Sequence, residues 1–307
     1  MTAHDADVIE LQKAYGDLVA IDRRPEGTQY SGTLGDGTPV AVIALDRGLT
    51  SAVRKPEQFL ATLERASAVR HAALARPLAW GRTDTGLFHY ARAQLESGLL
   101  TPGAFSAAEV AALGEQLARG LSVAHRAGLP HGAVTPWRIA RTKQDEPVLE
   151  SFGVFAALTA GGLQPRQVAA VLGEDSYDSP EAQRGAVPDE RCDIYSLGAT
   201  LYVLLTGKPP FGGRTTSFVM ATVLSNKDSQ ESDAADDAAA ALIVEALLRA
   251  IEHAPEDRWS SANAFANALA AGAANNAGPA DGPRRSGWAK FVAIFRDAWF
   301  PARRSRE

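Results

Sequence analysis

The sequence predicts an α+β protein, with a small β-rich part followed by a larger helical one. Residues 15–45 hold "YGDLVAI" and "TPVAVIAL", rich in side chains that suit a pleated, half-buried surface. After Gly98 the apolar residues switch to helical spacing, starting with "FSAAEVAALGEQLARGLSVAHRAG". Strands first and helices afterwards is the order of an α+β chain, not of an alternating βαβ sheet.

The elements follow in order. "LGDGT", between the first two strand-like runs, carries the Asp-Gly hairpin signal. A helix is predicted over 56–69: Pro56 suits a first turn, and Phe59, Leu63 and Ala66 share one face. "LAWGRTDTGLFHYARAQ" reads as two strands around a polar turn. Ser106 with Glu109 three residues on is a capping-box signature. The stripe Val110, Leu113, Leu117, Leu121, Ala124 continues that helix until Gly128 stops it. "EPVLESFG" is a short β-like patch. Further helices are expected at 193–206, 215–225, 236–252 and 260–271. The acidic "NKDSQESDAADD" (226–237) reads as a surface loop, and 271–287 has linker composition. There are no repeats.

A chain of 307 residues, 46% hydrophobic and 22% charged, is long enough to bury a core without disulfides or a structural metal. Cys192 is the single cysteine, which excludes a disulfide framework and a cysteine zinc cluster and is compatible with a reducing cytoplasm. The net charge of -5 hides an asymmetry. Arg284, Arg285, Lys290, Arg296, Arg303, Arg304 and Arg306 outweigh Asp297 and Glu307, so the end of the chain is basic and the body acidic. An acidic body argues against nucleic-acid binding. The N-terminus lacks a signal-peptide pattern. No apolar run reaches the roughly 18 residues of a spanning helix.

Chemistry is concentrated in "LPHGAVTPWRIA" (129–140), "ESFG" (150–153) and 173–213. The last reads "GEDSYDSPEAQRG…DERCDIYSLGATLYVLLTGKPPFGG". This stretch closely resembles bacterial eukaryotic-like serine/threonine protein kinases. Ser179-Pro180-Glu181 looks like the family's A-P-E, and Asp193 sits in its D-x-W/Y-S-L-G helix start. "PPF" (209–211) follows at the family spacing, and "HAPEDRWSSANAF" resembles the N-P-x-x-R helix entry. The resemblance implies a bilobal fold over 13–271, with an N-lobe of about 13–94 and a C-lobe of about 95–271. Around it lie an N-terminal tail (1–12), a flexible linker (272–287) and a basic C-terminal segment (288–307). It also implies that Arg258 pairs with Glu181, that Asp193 accepts backbone hydrogen bonds from around His131, and that His131, Phe152 and Gly153 pack between the lobes, with Pro180 in the same framework.

The residues that would do kinase chemistry are absent at the matching positions. A kinase positions and neutralises phosphates with a glycine-rich loop, a lysine and two metal ions. The loop is "IDRRPEGTQY": Asp22, Arg24 and Gly27 fall on the three glycines, and Pro25 removes an N–H. The V-A-I-K lysine is Ile43, and its glutamate partner falls at Thr62. In H-R-D-L-x-x-x-N the base is Ala133, and Thr135 and Arg138 replace the lysine and the metal-binding asparagine. The metal-binding D-F-G is Ser151-Phe152-Gly153, and Ser offers no anionic oxygen for magnesium. Glu174 stands where the family usually has Thr. Glu150 is expected to point away from Ser151, since neighbouring strand residues face opposite sides. Arg23 and Arg24 are the candidates to reach a phosphate, and Ala41 is the small residue that by resemblance would lie over an adenine.

In the tail, Trp288, Phe291, Val292, Phe295 and Trp299 share one helix face. A basic amphipathic helix suits a membrane surface, a protein partner or the chain's own lobe. The expected function is a catalytically inactive kinase-like domain (a pseudokinase), acting as a cytoplasmic signalling scaffold for a protein partner. Peripheral contact with the inner membrane face stays open. No catalytic residue, metal or cofactor is expected. A nucleotide sensor that takes ATP without magnesium, and an atypical kinase with weak phosphoryl transfer, remain as alternatives.

Overall fold

The structure is a computed structural model. It describes residues 3–95, 100, 102–103, 105–173, 176–208, 210 and 234–274. Its first lobe is an antiparallel sheet of β1 (Val19–Arg24), β2 (Gly27–Thr33), β3 (Pro39–Leu45), β4 (Ala79–Arg82) and β5 (Phe88–Ala93), in the order β1-β2-β3-β5-β4. The Asp-Gly turn connects β2 to β3, with Gly37 at φ 86°. Alternation along β3 decides both faces of the sheet. Val40, Val42 and Ala44 point to the outer face, and Ala41, Ile43 and Leu45 point inward.

The segment expected as an N-terminal tail is instead helix α1 (Ala3–Tyr15), lying on the outer face. Leu11 and Tyr15 pack there on Tyr30, Val40 and Val42. Buried Asp7 accepts hydrogen bonds from Thr83 (3.0 Å), Thr85 and Arg47, and Glu10 takes the backbone N–H of Asp84. The apolar pattern of α1 is weak in the sequence because polar Asp7 and Glu10 supply part of its grip on the lobe. Helix α2 (Arg47–Ala52) is short, and α3 (Pro56–Ala68) buries Phe59, Thr62, Leu63 and Ala66. Thr62 turns its hydroxyl back to the Gln58 carbonyl at 2.7 Å.

The second lobe holds α4 (Ala107–Arg126), a 3₁₀ turn (Pro136–Arg138), β6 (Ile139–Arg141), β7 (Pro147–Leu149), α5 (Val154–Ala160), α6 (Pro165–Leu172), α7 (Pro180–Gln183), α8 (Glu190–Thr206), α9 (Ala234–Ala250) and α10 (Ala262–Ala274). Ser106 and Glu109 form the reciprocal cap of α4. Helix α8 begins three residues before the expected 193 because Asp189 accepts the N–H groups of Arg191 and Cys192. It is buried almost all round, as befits a helix at the centre of a lobe. Val110, Leu117, Leu121, Leu197, Leu201, Leu247, Phe265 and Leu269 build the core around it.

Helix α10 continues to Ala274, so the first three residues assigned to the linker belong to it. The helix expected at 215–225, Glu174, most of "PPF" and the aromatic face of the tail lie outside the described residues.

Candidate functional site

The cleft between the lobes is where the chemistry-bearing motifs converge, and the chain fills it with its own side chains. Arg138 ends the 3₁₀ turn, and its guanidinium is almost wholly buried. It donates to both carboxylate oxygens of Glu26, at 2.9 and 3.1 Å, to the Ser151 hydroxyl at 2.8 Å and to the Leu172 carbonyl at 2.6 Å. Glu26 comes from the β1–β2 hairpin and is 0% exposed. Burial alone would push its carboxyl up; Arg138, then Arg24, hold it below its ordinary value.

A second ion network lies beside the first with the charges reversed. Glu150 accepts from Arg24 at 2.5 Å and from Arg92. Arg92 is 2% exposed and stands opposite Ala41 in the β3–β5 register. The inner face beneath Ala41 therefore carries a guanidinium. Burial lowers the pKa of Arg92 and the charge of Arg24 lowers it further, while Glu150 acts the other way. Arg23 lies at the surface on Asp46, 2.7 Å away.

Glu150 and Ser151 thus both turn into the cleft, against the expected alternation. The reason is local: β7 ends at Leu149, and Ser151 has a left-handed φ of 59°. Gly153 is left-handed as well, at φ 82°, and a Cβ there would lie 2.3 Å from that of Ala66 on α3. Helix α5 starts at once, which brings Phe155 over the catalytic-loop position. A Cβ on Gly132 would meet the Phe155 ring at 2.6 Å. Ala133, Ile43, Phe59, Leu63, Tyr90 and Phe155 then form one apolar cluster. Ala133 and Ile43 are thus joined by hydrocarbon, a medium hostile to a charged group.

The framework residues hold this arrangement. Asp193 accepts the N–H groups of His131 and Gly132, both at 2.7 Å, and pairs with His125 Nε2 at 2.7 Å. His131 donates from Nε2 to the Glu150 carbonyl at 2.9 Å, so it orients the cleft strand and has no free nitrogen for catalysis. Phe152 is wholly buried in the large core beside the His131 ring. Arg258 donates to both oxygens of Glu181, at 2.6 and 2.9 Å, behind Ser179-Pro180. Thr135 is buried with its hydroxyl unpartnered among the described residues. Glu181, Asp189 and Cys192 bring three donor atoms within 4.8 Å. However, Glu181 is taken by Arg258, Asp189 caps α8, and burial pushes the Cys192 thiol up to about 12. Those three do not offer a cation a set of free ligands.

Sequence reasoning singled out Arg138, Ser151, Ile43 and Ala133, which lie in the ion network and apolar cluster of the cleft, but not their neighbours Glu26, Arg92 and Phe155. One signal was available. A buried arginine at 138 demands a carboxylate, but nothing along the chain says that it lies 112 residues away.

A five-stranded lobe over a helical one, with this Asp193 and Glu181–Arg258 framework, defines the protein-kinase fold. The family model described as "Protein kinase domain" matches residues 70–269, and the chain belongs to that family. It is 33% identical over 185 residues to the serine/threonine-protein kinase PknK of Mycobacterium bovis, covering 60% of this chain but 16% of that relative. It is 43% identical over 93 residues to PknB of Mycolicibacterium smegmatis, covering 30% of this chain and 15% of PknB. The chain thus spans a small part of the curated relatives it matches. Among solved structures, the Mycobacterium tuberculosis PknI kinase domain aligns with a TM-score of 0.62 at 22% identity, covering 85% of this chain and 97% of that one. No helix among the described residues is long and apolar enough to cross a membrane.

Proposed function

We propose that this chain is a non-catalytic kinase-fold module that presents a kinase-shaped surface to a protein partner. One observation carries the reading: the two metal-ligand positions, Arg138 and Ser151, are bonded to each other and to Glu26. A guanidinium with its donors committed to the chain's own oxygens repels a magnesium ion. The apolar cluster of Ile43, Ala133 and Phe155 supports the same conclusion from the other end of the reaction, since it holds neither a base nor a phosphate-binding cation. Signalling then rests on shape, through the surface that the closed cleft and helices α5 and α6 present.

The test is a thermal-shift titration of the full chain with ATP, with and without magnesium or manganese. A ligand that binds only the folded state raises the midpoint in a concentration-dependent way. No rise is expected in any of these mixtures, and no transfer of labelled phosphate to the chain or to a generic protein substrate. A metal-dependent rise with transfer would identify an active kinase. A metal-independent rise without transfer would identify a nucleotide sensor.

A further inference from the structure

Resting on the non-catalytic reading above, we infer that the two lobes are clasped into one rigid unit, so that the cleft does not open and close. The clasp is a pattern of alternating charge across the cleft, backed by a second tie at the start of α3.

Three observations lead there. First, each half of the clasp is firmly mounted on its own lobe. Arg24 and Glu26 stand two residues apart on the β1–β2 hairpin. Strand β2 pairs with β3 from Gly27 to Thr33, and the Glu26 carbonyl accepts the Asp46 N–H at 2.8 Å. A grip on this hairpin is therefore a grip on the whole sheet. Across the cleft, Arg138 and Glu150 are joined through their backbones, because the Glu150 N–H donates to the Arg138 carbonyl at 2.8 Å.

Second, the charges alternate. The hairpin presents a cation and then an anion, and the second lobe answers with Glu150 and Arg138. Arg92, from β5, takes the other oxygen of Glu150. Sliding one lobe past the other by one pair would set Arg24 against Arg138, or Glu26 against Glu150. Like charges repel, so the pattern accepts one register of closure. Glu26, Arg92, Arg138 and Glu150 are all buried, which makes each pair costly to break and hard for salt to screen.

Third, a tie without charge lies apart from the clasp. Val154, Phe155, Ala157 and Leu158 of α5 share an apolar cluster with Phe59 and Leu63 of α3. Just beyond α5, the Gly161 carbonyl accepts the N–H groups of Arg54 and Lys55, both at 2.9 Å. Lobes held at one point can pivot about it. Held at the hairpin, at the start of α3 and by the chain that follows β5, these lobes have no free axis.

The experiment is hydrogen exchange on the full chain without nucleotide, for wild type, Glu26→Gln and Glu26→Arg. The reporters are the Arg54 and Lys55 amides, which belong to the tie that the substitutions do not touch. Helix α8 corrects for any change in global stability. Glu26→Gln keeps the size of the side chain and should speed the reporters about tenfold or more beyond any change in α8, the loss of charge-assisted hydrogen bonds felt through both lobes. Glu26→Arg sets a cation against Arg138 and should speed them further. If Glu26→Arg does not fold, the Glu26→Gln result decides by itself. In wild type, about 1 M salt should leave the reporters slow, as buried pairs require. The clasp is overturned by reporters in Glu26→Gln that keep pace with α8, by a Glu26→Arg chain no faster than Glu26→Gln, or by salt that opens the wild type. These outcomes are separable from the reading above. Phosphate transfer by the wild-type chain would sink the non-catalytic assignment and leave the exchange rates standing; uncoupled reporters would sink the clasp alone.

Discussion

Arg258 and Glu181, 77 residues apart in the chain, are locked by two parallel N–H···O bonds behind the start of α7. The same guanidinium donates to the carbonyls of Arg191, Glu252 and His253 and lies 4.9 Å from the centre of the Tyr195 ring. One buried side chain therefore ties α7, α8 and the end of α9 together. This tie serves architecture.

Removing Arg258 should be severe. Arg258→Ala strands a partly buried carboxylate and three carbonyls, which places the loss at about 3 kcal/mol or more. Arg258→Lys should recover only part of it, since an ammonium cannot make the bidentate pair. Urea unfolding of the two variants checks this, and a loss below about 1 kcal/mol in the alanine variant would contradict the buried-pair account.

On the non-catalytic reading proposed above, an aspartate at position 133 should not confer catalysis. Ala133→Asp places a carboxylate in the cluster of Ile43, Phe59 and Phe155, with no lysine at 43 and a cation at 138. The expected result is no phosphoryl transfer and a stability loss of about 2 kcal/mol or more from an unpaired buried polar group. A phosphotransfer assay and a melting curve on the same preparation test both halves. Transfer by this single variant would mean that the cleft opens to nucleotide far more readily than its ion networks suggest.

Much of this was legible in the sequence, for a physical reason. Elements whose signal is local were readable: α3 from Pro56 and its apolar face, α4 from the Ser106–Glu109 cap, β3 from "TPVAVIAL". The framework of Asp193, Glu181 and Arg258 was readable because its residue types cannot be exchanged without losing a fixed hydrogen-bond pattern. Glu26 and Arg92 were not, because an ion pair has no spacing rule: its partners are set by the fold. Helix α5 was missed because it is one short run started by the left-handed turn at Ser151 and Gly153, and held by packing on α3. Helix α1 was missed because its anchor is polar: Asp7 and Glu10 grip the β4–β5 turn, and a pattern of apolar spacing does not register such a grip.

Acid should weaken the fold in two stages. Burial holds His89 near 4, below its ordinary 6.5, so between those values the unfolded chain takes a proton that the folded one refuses. Stability is then whole above 6.5 and falls as the pH drops toward 4, by at most about 1.4 kcal/mol per pH unit. Glu181 acts lower down. Its carboxyl is held at about 2 against an ordinary 4.5: burial pushes it up, but the hydrogen bonds from Arg258 outweigh that. Its contribution is present above 4.5 and is lost as the pH falls toward 2. Urea titrations at a series of pH values should show both slopes. His71 and His131, which burial also holds below their ordinary value, share the upper slope, so His89→Phe, which keeps a ring against Tyr15, should make it shallower and spare the lower. An unchanged upper slope in that variant would assign it to another group.

Gly27 separates a packing role from a phosphate role at one position. The resemblance puts it on the last glycine of the loop that cradles phosphates in kinases, whereas the structure has it open β2, paired with Leu45. A Cβ on it would fall 2.0 Å from the Ala44 carbonyl oxygen, and backbone cannot swing aside as a side chain can. Gly27→Ala should therefore force β2 and β3 apart and cost about 1–3 kcal/mol, the range for overpacking. Gly35, in the turn that follows, has no atom within 4 Å of its would-be Cβ. Gly35→Ala should be neutral, or gain up to about 1 kcal/mol from a stiffer unfolded chain. Denaturant unfolding of the pair reads the contrast. If the glycine were kept for a nucleotide, Gly27→Ala would instead leave stability near wild type and change only the response to ATP. A glycine kept for strand packing does the opposite, and the 2.0 Å approach to Ala44 puts Gly27 in that class.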